Sequence, residues 1–268
     1  MTEEEVKQLL EAIYERYHYD FRHYAGASLR RRLSHALTRL DCPSLPALQE
    51  RLSKEDTLFS SLLQFLTIQV SDMFRDPPFF LTFRQQVVPI LKTYPSIRLW
   101  IAGCSTGEEV YSFTITLKEE GLLERTICYA TDINGEALRM ASAGVFNLDR
   151  MARFSTNYLQ AGGQTSLSDY YVANYNRATF DRSLRKNVVF SDHSLVTDSV
   201  FAEMQFISCR NVLIYFDRVL QDRVITLFRD ALCRKGFLGL GAKESLRTVA
   251  IGSAFSEFAP DVRIYQKY

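Results

Sequence analysis

The chain lacks most features that would announce a partner or a compartment. Its formal net charge is only +1, so no global field draws it to nucleic acid or to a membrane surface. No apolar run reaches the length that spans a bilayer. The first residues, Met-Thr-Glu-Glu-Glu, are acidic and carry no apolar core of a secretory signal. The five cysteines (Cys42, Cys104, Cys128, Cys209, Cys233) are dispersed, with no Cys-x-x-Cys pair. An odd, scattered set reads as free, buried thiols in a reducing compartment. The four histidines (His18, His23, His35, His193) have no ligand spacing, so no metal is expected. Internal repeats, low-complexity tracts and a Gly-x-Gly-x-x-Gly fingerprint are all missing. The expectation is a cytoplasmic monomer that binds no nucleic acid and does not enter the membrane.

What is present is apolar surface to bury. Hydrophobic residues make up 47% of 268, enough for one large domain or two smaller ones. Residues 1–84 read as helical. Val6, Leu9, Leu10, Ile13 and Tyr17 recur at helical spacing. A second helix is expected from Ser28 as N-cap, with Leu29, Leu33, Ala36, Leu37 and Leu40 as its stripe and Arg30, Arg31, Arg32 and Arg39 elsewhere around it. Further helices are expected after Ser44 and over 56–67. Pro77 and Pro78 read as the end of a helix, leaving Arg75 and Asp76 at a junction, where ligand sites are common.

Residues 85–268 alternate between strands and helices. Strands are expected at 97–102, 127–131, 188–190, 204–208 and 237–240, and helices at 108–120, 135–143 and 218–233. Such alternation predicts an α/β domain with a parallel sheet covered on both faces. Ligands of such sheets sit beyond the carboxyl ends of the strands. Gly103 to Gly107, Asp132 and Cys209 to Asn211 all follow strand ends, so they converge. Between about 166 and 189, Tyr170, Tyr171, Tyr175, Thr179 and Phe180 with Asn174 and Asn176 predict a small antiparallel excursion.

The turn after the first strand, Gly103-Cys-Ser-Thr-Gly-Glu-Glu109, carries the most chemistry. Its glycines let the backbone approach a ligand. Glu108 and Glu109 open a helix and suit its dipole, but they disfavour a phosphate there. The turn therefore reads as a nucleoside pocket. Asp132 ends the next strand, where an acid typically bonds ribose hydroxyls. A helix N-cap is the plainer reading of Asp132.

Taken in order along nearly the whole chain, these segments resemble the CheR-type chemotaxis receptor methyltransferases, which are protein-glutamate O-methyltransferases. The resemblance rests on Leu29-Arg-Arg-Arg-Leu33, Met73-Phe-Arg-Asp76, the Gly103–Glu109 turn with Tyr111-Ser112, Ala130-Thr-Asp-Ile133, and Cys209-Arg-Asn-Val-Leu-Ile-Tyr-Phe-Asp217. It implies a Rossmann-like class I methyltransferase sheet with an N-terminal helical receptor-recognition domain and a small antiparallel β-subdomain. It implies S-adenosylmethionine as methyl donor and S-adenosylhomocysteine as product. Carried over by position, Gln69, Ser71, Arg75, Gly103, Gly107, Glu109, Asp132, Ser194, Leu195, Arg210 and Asn211 would line the cofactor site. Arg75 and Tyr215 would sit by the transferred methyl. Arg30, Arg31, Arg32 and Arg39 would dock the acidic cytoplasmic helices of a chemoreceptor. The acceptor would be a receptor glutamate. The β-subdomain lacks the glycine-containing hairpin loop of members that bind a receptor pentapeptide, so it resembles the pentapeptide-independent form.

This chain departs from the family pattern at Gln69-Val-Ser71, where Asn-Leu-Thr is usual, and at Ser194, where Asn is frequent. Those departures leave open a second reading, a binding module that keeps the fold without turnover. Arg75, Glu109, Asp132 and Tyr215 oppose it. A nicotinamide oxidoreductase is disfavoured by the Glu108-Glu109 pair and the missing glycine fingerprint.

Overall fold

The computed structural model describes residues 1–247 and 249–268. Four helices lead: α1 (Glu3–Tyr17), α2 (Gly26–Arg39), α3 (Leu45–Lys54) and α4 (Asp56–Leu66). Helix α1 starts with a capping box, Thr2 accepting from the Glu5 N–H and the Glu5 carboxylate accepting from the Thr2 N–H. Ser44 caps α3 by accepting from the Ala47 N–H at 3.3 Å. Helix α2 departs from expectation. It begins at Gly26, with Ala25 at the N-cap and no side-chain cap, so Ser28 lies inside it. The Ala25 N–H instead donates to the Tyr215 carbonyl at 2.8 Å. A tertiary bond, not a local cap, sets where this helix starts. Leu9, Leu33, Leu48 and Leu62 share one core among these helices.

Pro77 and Pro78 open a helix rather than end one. They occupy the first positions of α5 (Pro77–Thr82), where a missing N–H costs nothing. A π-helical turn (Phe83–Val87) leads into α6 (Val88–Leu91). Phe79, Phe80, Phe83 and Leu91 join the core beneath the sheet.

The sheet elements follow as β1 (Ile97–Ala102), α7 (Glu108–Glu119), β2 (Thr126–Asp132), α8 (Gly135–Ala143), β3 (Val145–Asn147), α9 (Met151–Gln160), β4 (Tyr171–Asn174), β5 (Arg177–Phe180), β6 (Val188–Asp192), β7 (Met204–Cys209), α10 (Arg218–Ala231), β8 (Leu232–Leu240), β9 (Phe255–Ala259) and β10 (Ile264–Lys267). Among the described residues the main sheet has the order β6-β2-β1-β7-β8-β10-β9. The pairs from β6 to β8 are parallel. β10 is antiparallel to both β8 and β9, so the sheet is mixed at that edge and not wholly parallel as expected. Strand order reverses beside β1, whose neighbours are β2 and β7, and a crevice opens at such a switch point.

The small sheet, β3-β5-β4, is antiparallel. Its third strand, β3, lies well before the expected 166–189 stretch. The β4–β5 hairpin turns through Tyr175 and Asn176 alone, with Asn174 paired to Arg177. All five cysteines are free thiols. Among the described residues no helix is long and apolar enough to cross a membrane.

Candidate active site

A cleft of about 910 Å3, its open mouth included, lies at the carboxyl ends of β1, β2 and β7. Its floor is the turn after β1. Gly103 has φ +76°, and a Cβ there would stand 2.6 Å from the Val212 side chain. The Gly103 and Cys104 N–H groups both donate to the Thr131 carbonyl, at 2.8 and 2.9 Å, which wraps the turn over the end of β2. The Ser105 N–H then donates to Asp132 Oδ2 at 2.8 Å, and the Asn134 N–H donates to Oδ1 at 2.9 Å. Asn134, not Asp132, caps α8. The Asp132 carboxylate thus keeps acceptor positions free on the cleft wall. Burial pushes its pKa up, while the bonds from Asn134 and Ser105 pull it down.

Gly107 does not reach the cleft wall. It has φ +96°, and its Cβ would lie 2.8 Å from the Ala141 Cα on α8. Its glycine serves close packing of turn on helix rather than ligand contact. Gly107→Ala is therefore expected to cost about 2–4 kcal/mol of stability, from left-handed strain plus a backbone clash. Urea unfolding checks this. A loss below about 0.5 kcal/mol would contradict the packing role.

Glu108 and Glu109 part company on α7, because successive helical residues point about 100° apart. Glu108 is fully buried at 0% exposure. It accepts from Arg150 Nη1 at 2.6 Å and from Thr106 Oγ1 at 2.7 Å. Arg150 also donates to the Ser71 carbonyl, which fixes the cleft-lining strap at 67–71. Glu109 faces the cleft. It accepts from Ser208 Oγ at 2.6 Å and from Arg210 Nη1 at 2.9 Å.

Arg210 has a side chain only 1% exposed. Its guanidinium lies 4.1 Å from the centre of the Phe79 ring, and it also reaches Asp76 at 2.9 Å and the Arg75 carbonyl at 2.7 Å. It therefore orients both Glu109 and the Arg75 backbone. Gln69 and Ser71 line the strap side, where Gln69 Oε1 accepts from Ser105 Oγ at 2.6 Å.

Asn211 and Tyr215 close the other wall. Asn211 has φ +62°. Burial raises the Tyr215 pKa, and the nearby Arg32 and Arg75 charges oppose that rise. Arg32 corrects the expectation of a wholly exposed arginine face on α2. Arg30, Arg31 and Arg39 are exposed, but Arg32 is only 7% exposed and lines the cleft. Its position on α2 turns it inward beside Leu29 and Leu33. It donates to the Leu66 carbonyl and lies over the Tyr24 and Tyr215 rings at 5.8 and 5.4 Å.

Ser194 also departs from expectation. Its hydroxyl accepts from the Thr197 N–H at 3.2 Å, capping the following turn, and it does not line the cleft. Leu195 does, and so does His193, which the sequence did not single out. Tyr24 and Ser105 were missed too, since nothing in their spacing separates them from ordinary turn residues.

Comparison with known proteins agrees with this geometry. A family model described as "CheR methyltransferase, SAM binding domain" matches residues 69–258, and one described as "CheR methyltransferase, all-alpha domain" matches residues 4–67. A Pseudomonas putida protein named "Putative methyltransferase Cher3" is 54% identical over 266 residues, covering 99% of this chain and 97% of that one. A "Chemotaxis protein methyltransferase" of Listeria monocytogenes is 26% identical over 83% of each chain. A "Chemotaxis protein methyltransferase 2" of Pseudomonas aeruginosa is 27% identical over 91% of this chain and 87% of that one.

Proposed function

Because the chain belongs to the CheR methyltransferase family, with S-adenosylmethionine as its methyl donor, we propose that it methylates glutamate side chains on the cytoplasmic helices of a chemoreceptor. The product is a glutamate methyl ester, with S-adenosylhomocysteine released. The observation that carries this reading is the polarity of the cleft. Two carboxylates, Glu109 and Asp132, line its inner part. Arg32 and Arg75, which form no ion pair among the described residues, line the same cleft. Such a cleft suits a cationic ligand within and an anionic acceptor at its mouth.

The residues fit the donor on chemical grounds. The free acceptor positions of Asp132 suit ribose hydroxyls. Glu109, oriented by its ion pair with Arg210 at 2.9 Å, suits the cationic amino group. Gly103, which no side chain could replace without striking Val212, admits a ligand close to the backbone. Gln69, Ser71, Leu195 and Asn211 complete the wall, and Arg210 acts through Glu109. When bound, the donor supplies a methyl group already activated by its sulfonium charge.

The chain's own task is then positioning and exclusion of water. A glutamate with an ordinary pKa of about 4.3 is ionised at neutral pH and needs no general base. Arg75, with Arg32 lining the same cleft, holds the acceptor carboxylate. Tyr215, kept protonated by its raised pKa, donates a hydrogen bond to it. Orientation of this kind supplies up to about 7–11 kcal/mol. The pairing must not overstabilise the ground state, since tight ground-state binding does not speed the chemical step.

Docking falls to the exposed arginines. Arg31 is exposed on α2, and Arg30 pairs with Glu3 at 3.0 Å. They steer acidic receptor helices, with Arg39 extending the basic face. The tight Tyr175–Asn176 turn supports a pentapeptide-independent mode, and the protein acts as a cytoplasmic monomer. Arg31→Glu is expected to lower kcat/KM toward a chemoreceptor cytoplasmic fragment by about tenfold or more. Affinity for S-adenosylhomocysteine, measured by calorimetry, should stay unchanged. Undiminished methylation, with mass spectrometry locating the ester, would overturn the docking role.

A further inference from the structure

Glu244 lies in the turn after β8. Its residue is only 4% exposed, and it forms no ion pair among the described residues. A buried carboxylate without a cation is costly unless hydrogen bonds replace its water. Here backbone N–H groups do so. Oε2 accepts from the Asn211 N–H at 2.9 Å and the Gly241 N–H at 2.7 Å, and Oε1 accepts from the Ile214 N–H at 3.3 Å. Two of those three donors belong to the segment 211–217, which carries Asn211 and Tyr215 into the cleft.

We infer that Glu244 is a positioning residue for the wall of the active site that carries Asn211 and Tyr215. The inference rests on the proposed function for the importance of that wall, but its geometry stands alone. Gln221 Nε2 donates to the Leu213 and Phe216 carbonyls at 3.0 and 3.1 Å. The Ala25 N–H donates to the Tyr215 carbonyl, and the Asp217 N–H donates to the His23 carbonyl. Those bonds hold the carbonyls and the far end of the loop. Its leading N–H groups converge on Glu244. Asn211 also sits at φ +62°, a left-handed conformation that asparagine takes more readily than other residues with a side chain. Gly241 leaves the space this requires, because a Cβ there would stand 2.8 Å from both the Asn211 nitrogen and Glu244 Oε2. A simple cap on the β8 turn would need the Gly241 N–H alone.

Glu244→Gln in the full chain tests this. The amide keeps the volume but turns one acceptor into a donor that faces backbone N–H groups. By hydrogen-exchange mass spectrometry, peptides spanning 209–217 are expected to exchange at least about tenfold faster, while β1 peptides keep their protection. Affinity for S-adenosylhomocysteine should fall about tenfold. If this variant fails to fold, Gly241→Ala pushes on the same contact and should give the same local pattern. Unchanged exchange over 209–217, or equal loosening there and in β1, would overturn the inference. Wild-type protein that binds no S-adenosylhomocysteine would overturn the proposed function instead, and the exchange pattern would still decide the role of Glu244.

Discussion

Replacing Asp132 with asparagine is expected to weaken S-adenosylhomocysteine binding by about a hundredfold. The carboxylate is half-buried at the end of β2 and already accepts from the Ser105 and Asn134 N–H groups. Its remaining acceptor positions face the cleft. Hydrogen bonds to a charged group contribute about 1.5–3 kcal/mol each, so losing the charge from two ribose contacts gives roughly 3 kcal/mol. The asparagine NH2 also faces one of the two backbone donors and unsettles the turn. Calorimetry reads the effect, and a change below about threefold would remove Asp132 from the ribose role. Wild-type binding should also weaken on acidification. Burial raises the Asp132 pKa, so protonation and the loss of acceptor capacity begin at a higher pH than for an ordinary aspartate.

Arg75→Ala is expected to slow methyl transfer by about a hundredfold, while affinity for S-adenosylhomocysteine changes by less than about tenfold. The Arg75 side chain has one long hydrogen bond, to the Val70 carbonyl at 3.5 Å, so its removal disturbs the fold little. Removing one partner of a desolvated ion pair costs about 2–5 kcal/mol. That cost falls on the acceptor carboxylate, which has lost its aim. Arg75→Lys should recover only part of the rate, since a point charge cannot hold both carboxylate oxygens as a guanidinium fork does. Single-turnover kinetics with saturating donor separates the step from binding. An unchanged rate in Arg75→Ala would leave the carboxylate without its proposed holder.

Much of the fold was legible because local signals and tertiary needs coincide. Strand β1 and helix α8 match expectation residue for residue, the first from an apolar run broken only by Arg98, while the ends of the second are fixed by an Asn134 cap and a left-handed Gly144 that the structure shows. Misreadings occurred where one local signal serves two structures. Paired prolines after a helix look the same whether they end it or open the next. Ser28 is a good cap by type, but the start of α2 is set by Tyr215, a residue distant in sequence. The strands β9 and β10 are short, with β10 antiparallel to β8 and β9 antiparallel to β10 at the sheet edge, which no βα alternation announces.

The site divides the same way. Gly103 and Asp132 stand at strand ends and Glu109 lies in the first turn of the helix that follows β1, so topology brings them together. Arg32 was placed on the right helix but on the wrong side of it. Ser194 was placed on the right loop, yet its hydroxyl is taken by the Thr197 N–H. Glu244 left no trace in the sequence, because its partners are backbone N–H groups from another segment.

Methylation of a chemoreceptor carboxylate in this cleft is tested most directly by transfer of labelled methyl from S-adenosylmethionine to a chemoreceptor cytoplasmic fragment, followed by mild alkaline treatment. Incorporation that depends on Arg75 and Asp132 is expected, with the label released by base as a carboxyl methyl ester requires. Label that survives base, or no incorporation by protein that binds S-adenosylhomocysteine, would contradict it.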